Sequence, residues 1–400
     1  MPETNSARAL ADLRELATFG AFETGVHRPT FSNVDMAARR WFCGKLEEAG
    51  LQASIDGIGN VYGRSDAPGP KVLCGSHLES QNHAGWLDGA LGMIYALEAA
   101  RAIGRGVEVA AWCDEEGHFG SFIGSRSYVG LLDEAEIDRL ANRYDGRPLR
   151  QALSDVGLAG VPRRHVEPGR HKAFIEAHIE QGETLISSGL KIGVVTAIVA
   201  IWQYRLVAVG EQNHAGTTSM ARRRDAGLAL VRLLDAVDRR FPELAGPRSV
   251  WTAGRMTFEP GGASIIPGRA EALFQFRDAD QAVLDRLDAE LRHLVAEAND
   301  VGPCQVSLEV MGQSRPALMD PGLQDAIEAA AAGVASGRSA KIPSGAGHDA
   351  QYLARAMPAA MMFVPSIGGI SHHWSENTSD PDIMLGAEVY CAAVARVLDA

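Results

Sequence analysis

Val107-Glu108-Val109-Ala110-Ala111-Trp112-Cys113-Asp114-Glu115-Glu116-Gly117-His118 is a short, nearly apolar segment that ends abruptly in acid. The apolar part is predicted to be a buried strand, and the acidic part the turn at its carboxyl end. Carboxylates are costly to bury unless something cationic compensates them. Open α/β sheets bind their ligands beyond the carboxyl ends of strands. Two adjacent glutamates at such a place point to a functional site, and a metal is the natural compensating cation.

Other segments offer matching donors. A second predicted strand, Val72 to Ser76, ends in Gly75-Ser76-His77-Leu78-Glu79-Ser80. Asp88 follows in Trp86-Leu87-Asp88-Gly89-Ala90, where a helix is predicted from Asp88 to Ile103, stopped by Gly104. A third strand, Ala173 to Ile179, ends in His178-Ile179-Glu180-Gln181-Gly182, and alternation places Glu176, His178 and Glu180 on one face. Near the end comes Gly368-Gly369-Ile370-Ser371-His372-His373-Trp374. Histidine nitrogen and carboxylate oxygen are the donors of catalytic zinc or manganese, whereas structural zinc sites mostly use cysteine.

The surrounding pattern is α/β. Amphipathic helices are expected from about Ala7 to Thr18 and from about Asp35 to Ala49, before strands near Val61, Val72 and Val107 that alternate with helix. That order predicts a mixed sheet covered by helices on both faces, with short helices between Asp133 and Leu158 at its edge. After Gly193 the pattern changes. Val194 to Val209 reads as long strand, followed by a helix over Met220–Val237, strands over Val250–Phe258 and Ala270–Phe276, a helix over Asp280–Ala298 and a strand near Val306. Two helices and four strands in hairpin-like order predict a smaller α/β sandwich inserted into the first domain. With 400 residues, two domains are expected. Their predicted bounds are 1–199 with 316–400, and 200–315.

Composition narrows the function. A net charge of −12 without clustered Lys or Arg argues against nucleic acid. No apolar run is long enough to span a bilayer, and Met1-Pro2-Glu3-Thr4-Asn5-Ser6 lacks the regions of a secretion signal, so a cytoplasmic protein is expected. Cys43, Cys74, Cys113, Cys304 and Cys391 are odd in number and scattered, and read as reduced, mostly buried thiols.

Gly75 to Gly89, the Asp-Glu-Glu turn, His178 to Gly182, Asn213-His214-Ala215-Gly216-Thr217-Thr218, Arg223-Arg224-Asp225-Ala226 and Ser344-Gly345-Ala346-Gly347-His348-Asp349-Ala350 recur here in order. Together they resemble the dinuclear-metal amidohydrolases that include N-carbamoyl-L-amino-acid hydrolase, allantoate amidohydrolase and some ureidopropionases, relatives of the aminoacylase and carboxypeptidase group of metallopeptidases. The resemblance implies a homodimeric enzyme with two divalent ions per subunit, zinc or manganese, with cobalt or nickel as further options. By motif it makes Asp88 the carboxylate bridging the ions, with His77 and His178 completing one site and Glu116 and His372 the other. Glu115 is then the general base. His214 is expected to bind the scissile carbonyl oxygen, typically across a dimer interface. Arg277 is expected to pair with a substrate carboxylate, and Gln181 to touch the substrate.

Some positions depart from the family. Glu79 stands where relatives usually carry aspartate as the group orienting the first histidine. Ser264 replaces an asparagine that helps hold the substrate carboxylate, so this pocket is expected to be wider or shifted. His118-Phe119 follow Glu116 where many relatives place an arginine, and His83 and His373 match no ligand position. The implied activity is cleavage of a linear amide or ureido C–N bond, foremost in N-carbamoyl-L-amino acids. Allantoate, ureidopropionate and N-acyl amino acids or dipeptides are the alternatives, and a metal-dependent scaffold protein is the non-enzyme alternative. Gly345-Ala346-Gly347-His348 could form a phosphate cradle, but it lacks the Lys-Ser/Thr of a P-loop.

Overall fold

The computed structural model describes residues 2–400 and divides into two compact units, one running to Thr196 and resuming at Leu318–Ala400, the other Ala197–Ala317. The larger unit is built on a nine-stranded mixed sheet. At its centre, strand Lys71–His77 lies parallel to Val107–Trp112 on one side and to His171–Ile179 on the other, and Ala359–Val364 runs parallel to the last. Val61–Arg64 and Gln52–Ile55 extend the sheet antiparallel beyond Val107–Trp112.

Every residue of strands Lys71–His77 and Val107–Trp112 is buried. Val107, Val109 and Ala111 enter the main core, and the alternate side chains Glu108, Ala110 and Trp112 are buried on the opposite face. Both faces are therefore covered, as parallel strands require. Helices Ser6–Leu16, Ala90–Ile103, Pro321–Val334 and Asp380–Asp399 supply the main core. A smaller cluster, with Phe31, Phe119, Ile123, Ile137 and Leu149, packs the short helices of the 123–155 stretch. No helix among the described residues is long and apolar enough to cross a membrane. Cys74, Cys113, Cys304 and Cys391 are free and buried; Cys43 is free and half-buried.

The second unit is a four-stranded antiparallel sheet in the order Val250–Glu259, Arg269–Asp278, Ala200–Val209, Gln305–Gln313. Ala270, Ala272, Phe274 and Phe276 alternate inward from one strand onto helices Ala226–Leu244 and Gln281–Val301. The stretch expected as one long strand, 194–209, is two. Ile192–Ile198 joins the large sheet, and Ala200–Val209 begins the small one. The helix expected from Met220 starts at Ala226, because the Asp225 carboxylate caps it at the Leu228 amide, and Met220–Arg222 is a separate 3₁₀ turn.

The strand that leads to Glu115 is anchored at its other end by Glu108. This carboxylate accepts hydrogen bonds from His171 Nε2 at 2.8 Å, Arg170 Nε at 3.0 Å and the Ser65 amide at 3.0 Å. Burial pushes its pKa up, but the bonds from His171, Arg170 and Ser65 outweigh burial and bring it from 4.5 to about 2. A depressed folded-state pKa gives stability that is complete above the unfolded value and lost as pH falls through the folded one. Glu108→Gln is expected to destabilise the protein at pH 7 by on the order of 3 kcal/mol. Thermal melts from pH 7 to pH 2 should show the gap to the parent closing between about pH 4.5 and 2.

Candidate metal centre

Four segments bring donors to the carboxyl side of the parallel strands. His77 closes strand Lys71–His77, Glu115 and Glu116 follow Val107–Trp112, and His178 is next to last in His171–Ile179. His372 follows Ala359–Val364 after the Ile367–Gly369 turn. Asp88 is not helical but sits in the turn before helix Ala90–Ile103. Gly89 makes that turn possible: its φ is +66°, and a Cβ there would lie 2.4 Å from the His77 ring.

The two oxygens of Asp88 face different partners. Oδ1 lies 3.3 Å from His77 Nε2 and 3.0 Å from His178 Nε2. Oδ2 lies 3.4 Å from His372 Nε2, which is 3.6 Å from Glu116 Oε2. His77–Asp88–His178 and Asp88–Glu116–His372 thus form two groups whose donor atoms lie within 4.8 Å of one another, sharing one carboxylate. Glu115 Oε2 stands 3.8 Å from His77 Nε2, and His77, Glu115 and Glu116 form a third such group.

The ring nitrogens are set for coordination. His77 Nδ1 lies 3.0 Å from the backbone oxygen of Glu79, and His178 Nδ1 lies 2.9 Å from that of Ile179. A carbonyl only accepts, so each Nδ1 carries a proton, which leaves each Nε2, the nitrogen that faces Asp88, as the atom that can coordinate. His77 Nε2 is buried without a hydrogen-bond partner. Such an orphan is costly unless a ligand satisfies it, and a divalent cation fits this donor set.

Charge points the same way. Burial, and then the nearby Asp88 carboxylate, raise Glu116 to about 7. Burial likewise pushes Glu115 and Asp349 well up, Glu176 to about 7 and Glu376 to about 8. Asp88 goes the other way: burial opposes ionisation, but His178 and His77 hold it well below the usual range. So many buried carboxylates around two histidines repel one another unless cations are added.

Surrounding residues fix the loops. Asp114, Gln181 and His372 all have left-handed backbones, with φ of 57°, 57° and 55°, a conformation that non-glycine residues keep at tightly determined sites. The Asp114 carboxylate accepts the amides of His118, Phe119 and Gly120 at 2.6, 2.9 and 2.9 Å, which folds the turn after Glu116. Gln81 donates to Glu116 Oε2 at 2.9 Å, and Gln181 Nε2 donates to Asp88 Oδ2 at 3.0 Å while its Oε1 is buried without a partner. Glu376 accepts the Asp88 amide at 3.1 Å and the Ser371 hydroxyl at 2.9 Å.

Glu79 differs from expectation. Its backbone oxygen, not its carboxylate, holds His77 Nδ1; the nearer carboxylate oxygen is 4.0 Å away. Glu176 is buried between Ser76 Oγ and the Ala350 amide, whereas Glu180, expected on the same face, accepts the amides of Thr184 and Leu185 at the next short helix. His118 is buried against Thr30, and His83 and His373 are exposed. Gln81 and Glu376 escaped sequence reasoning because single polar residues in loops carry no periodic signal, and Asp349 stood inside a family motif without a role of its own.

The second unit holds His214, Ser264 and Arg277. Asn213–His214 pairs with Ile265–Ile266, and the Ala215 amide donates to the Ser264 carbonyl at 2.9 Å, so His214 and Ser264 share one ribbon. His214 Nδ1 accepts the amides of Gly216 and Thr217 at 3.0 and 3.2 Å. Its Nε2 therefore carries the proton and is exposed as a donor. Arg277 pairs with Val250 and Ile201, whereas the ribbon follows the other end of the sheet, where Arg269 pairs with Val209 and Glu259. Eight strand positions separate Arg269 from Arg277, about 26 Å at 3.3 Å per residue.

Residues 81–396 match the model of Peptidase family M20/M25/M40, and the chain belongs to this family, which is metal-dependent. The N-carbamoyl-L-amino-acid amidohydrolase of Paenarthrobacter aurescens is 33% identical over 100% of this chain and 99% of its own. The allantoate amidohydrolase of Bacillus subtilis (strain 168) is 32% identical over 93% and 92%. Among solved structures, an amidase of the hydantoinase/carbamoylase family from Burkholderia phymatum superposes with a TM-score of 0.94 at 45% identity, covering 100% of this chain and 99% of that one.

Proposed function

We propose that this chain hydrolyses a linear C–N bond, foremost that of an N-carbamoyl-L-amino acid, to the L-amino acid, ammonia and carbon dioxide. The observation that carries this is the pair of donor groups sharing Asp88, with Glu115 left over. His77, Asp88 and His178 would hold one divalent ion, and Asp88, Glu116 and His372 a second. When bound, such ions supply Lewis-acid polarisation of the scissile carbonyl. Each group is then complete without Glu115, which is free to take a proton from the attacking water and deliver it to the departing nitrogen.

The remaining steps belong to groups of the second unit. His214, with Nε2–H as its free donor, steadies the oxygen on which negative charge develops. Arg277 takes the substrate carboxylate in a bidentate pair. The stretch separating Arg277 from His214 and Ser264 is longer than an amino-acid substrate, so the two functions come from different copies of a homodimer. Gln181 offers its unpaired Oε1 to a substrate N–H. Relatives named for allantoate and for ureidoglycolate make those compounds the second reading. Ser264, shorter than asparagine and with a single donor, favours the carbamoyl amino acid over allantoate.

Protein loaded with manganese or zinc is expected to release ammonia from N-carbamoyl-L-amino acids faster than from allantoate or ureidopropionate, and to leave N-acyl amino acids largely intact. Turnover of the acyl compounds alone would overturn the assignment.

A further inference from the structure

The carboxylate of Glu79 is used twice, and neither use is the histidine next to it in sequence. Oε2 accepts Arg39 Nη2 at 2.6 Å, and Oε1 accepts the backbone amide of Glu115 at 2.8 Å. Arg39 is itself fixed. Its Nε donates to both oxygens of Asp35 at 3.0 Å, and its Nη1 donates to the Gly59 carbonyl at 2.7 Å. The side chains of Asp35, Arg39 and Glu79 are all 0% exposed. A charge-assisted bond from a rigid, dry ion pair therefore reaches the main chain of Glu115. From the other side, Asp114 fixes the same backbone through the turn amides.

We propose that Glu79 is a positioning residue for Glu115: it fixes that residue through its backbone N–H, with Arg39 as the counter-charge that keeps the carboxylate in place. The inference rests on the reading of Glu115 as the group that moves the proton. Aspartate at this position is shorter by one carbon–carbon bond, about 1.5 Å, so an aspartate held by Arg39 falls short of the Glu115 amide. A misplacement of that size at a reacting group is worth about a hundredfold in rate.

Two substitutions separate positioning from mere support. Glu79→Asp keeps the charge for Arg39 and gives up reach. Glu79→Gln keeps reach and an acceptor oxygen but leaves Arg39 short of a counter-charge. Thermal midpoints should rank parent, Glu79→Asp, Glu79→Gln, whereas kcat should rank parent, Glu79→Gln, Glu79→Asp. For Glu79→Asp, kcat should fall at least about tenfold with KM and metal content kept. In the metal-free protein, hydrogen exchange at the Glu115 amide should quicken in Glu79→Asp and stay near the parent rate in Glu79→Gln. Activity that simply follows thermal stability, or Glu115 exchange equal in all three proteins, would overturn the proposal. Should Glu79→Gln not fold, Glu79→Asp decides alone, and parent-like exchange at Glu115 sinks the idea. Retained turnover in Glu115→Gln would instead remove the role of Glu115, a result independent of the exchange rates.

Discussion

Glu115→Gln is expected to lower kcat by about 10²–10⁴-fold, the usual span for losing a positioned general base, with KM and bound metal close to the parent. The substitution preserves shape and removes only the ability to take a proton. The competing arrangement is the third donor group, in which Glu115 joins His77 and Glu116 as a ligand. The two separate cleanly by elemental analysis. Loss of turnover with metal retained assigns proton transfer to Glu115. Loss of metal together with turnover would move Glu115 into the ligand set and leave another group to take the proton.

Mixing two inactive proteins should restore activity. Glu115→Gln lacks the proposed base and His214→Ala the proposed oxyanion donor. If His214 serves the opposite copy, a hybrid dimer holds one site with Glu115 on one chain and His214 on the other, and one site lacking both. Random reassociation of equal amounts makes half of the dimers hybrid, so about a quarter of the parent activity returns. No recovery after verified subunit exchange would place His214 and Glu115 on the same chain. The length of strand Arg269–Asp278 holds Arg277 away from the ribbon of His214 and Ser264, and the predicted recovery rests on that separation together with the expectation that His214 is the group supplied by the opposite copy.

Much of this was legible in sequence because most of the candidate ligands lie at the ends of regular elements. The apolar run into Asp114-Glu115-Glu116 marks a buried strand and its carboxyl end without further information, and His77 and His178 end strands of the same kind. Family motif order then ties His372 to them. Less visible were features set by tertiary contact. Nothing local splits Ile192–Ile198 from Ala200–Val209, since both are apolar and β-prone and only their partners differ. The bond from Glu79 to the Glu115 amide depends on where Arg39 lies, and Arg39 sits on a helix whose pattern says only that it is amphipathic. The left-handed backbones of Asp114, Gln181 and His372 leave no compositional trace, because such conformations normally call for glycine.

The larger unit is made of two stretches of chain with the whole of Ala197–Ala317 between them, and the candidate ligands come from both stretches. During synthesis His77, Asp88, Glu116 and His178 exist long before His372 does. Asp88 and His372, if they hold an ion in common, would be clasped across that gap, tying the C-terminal segment to the sheet it completes. Free metal concentration would then set how often that segment lets go.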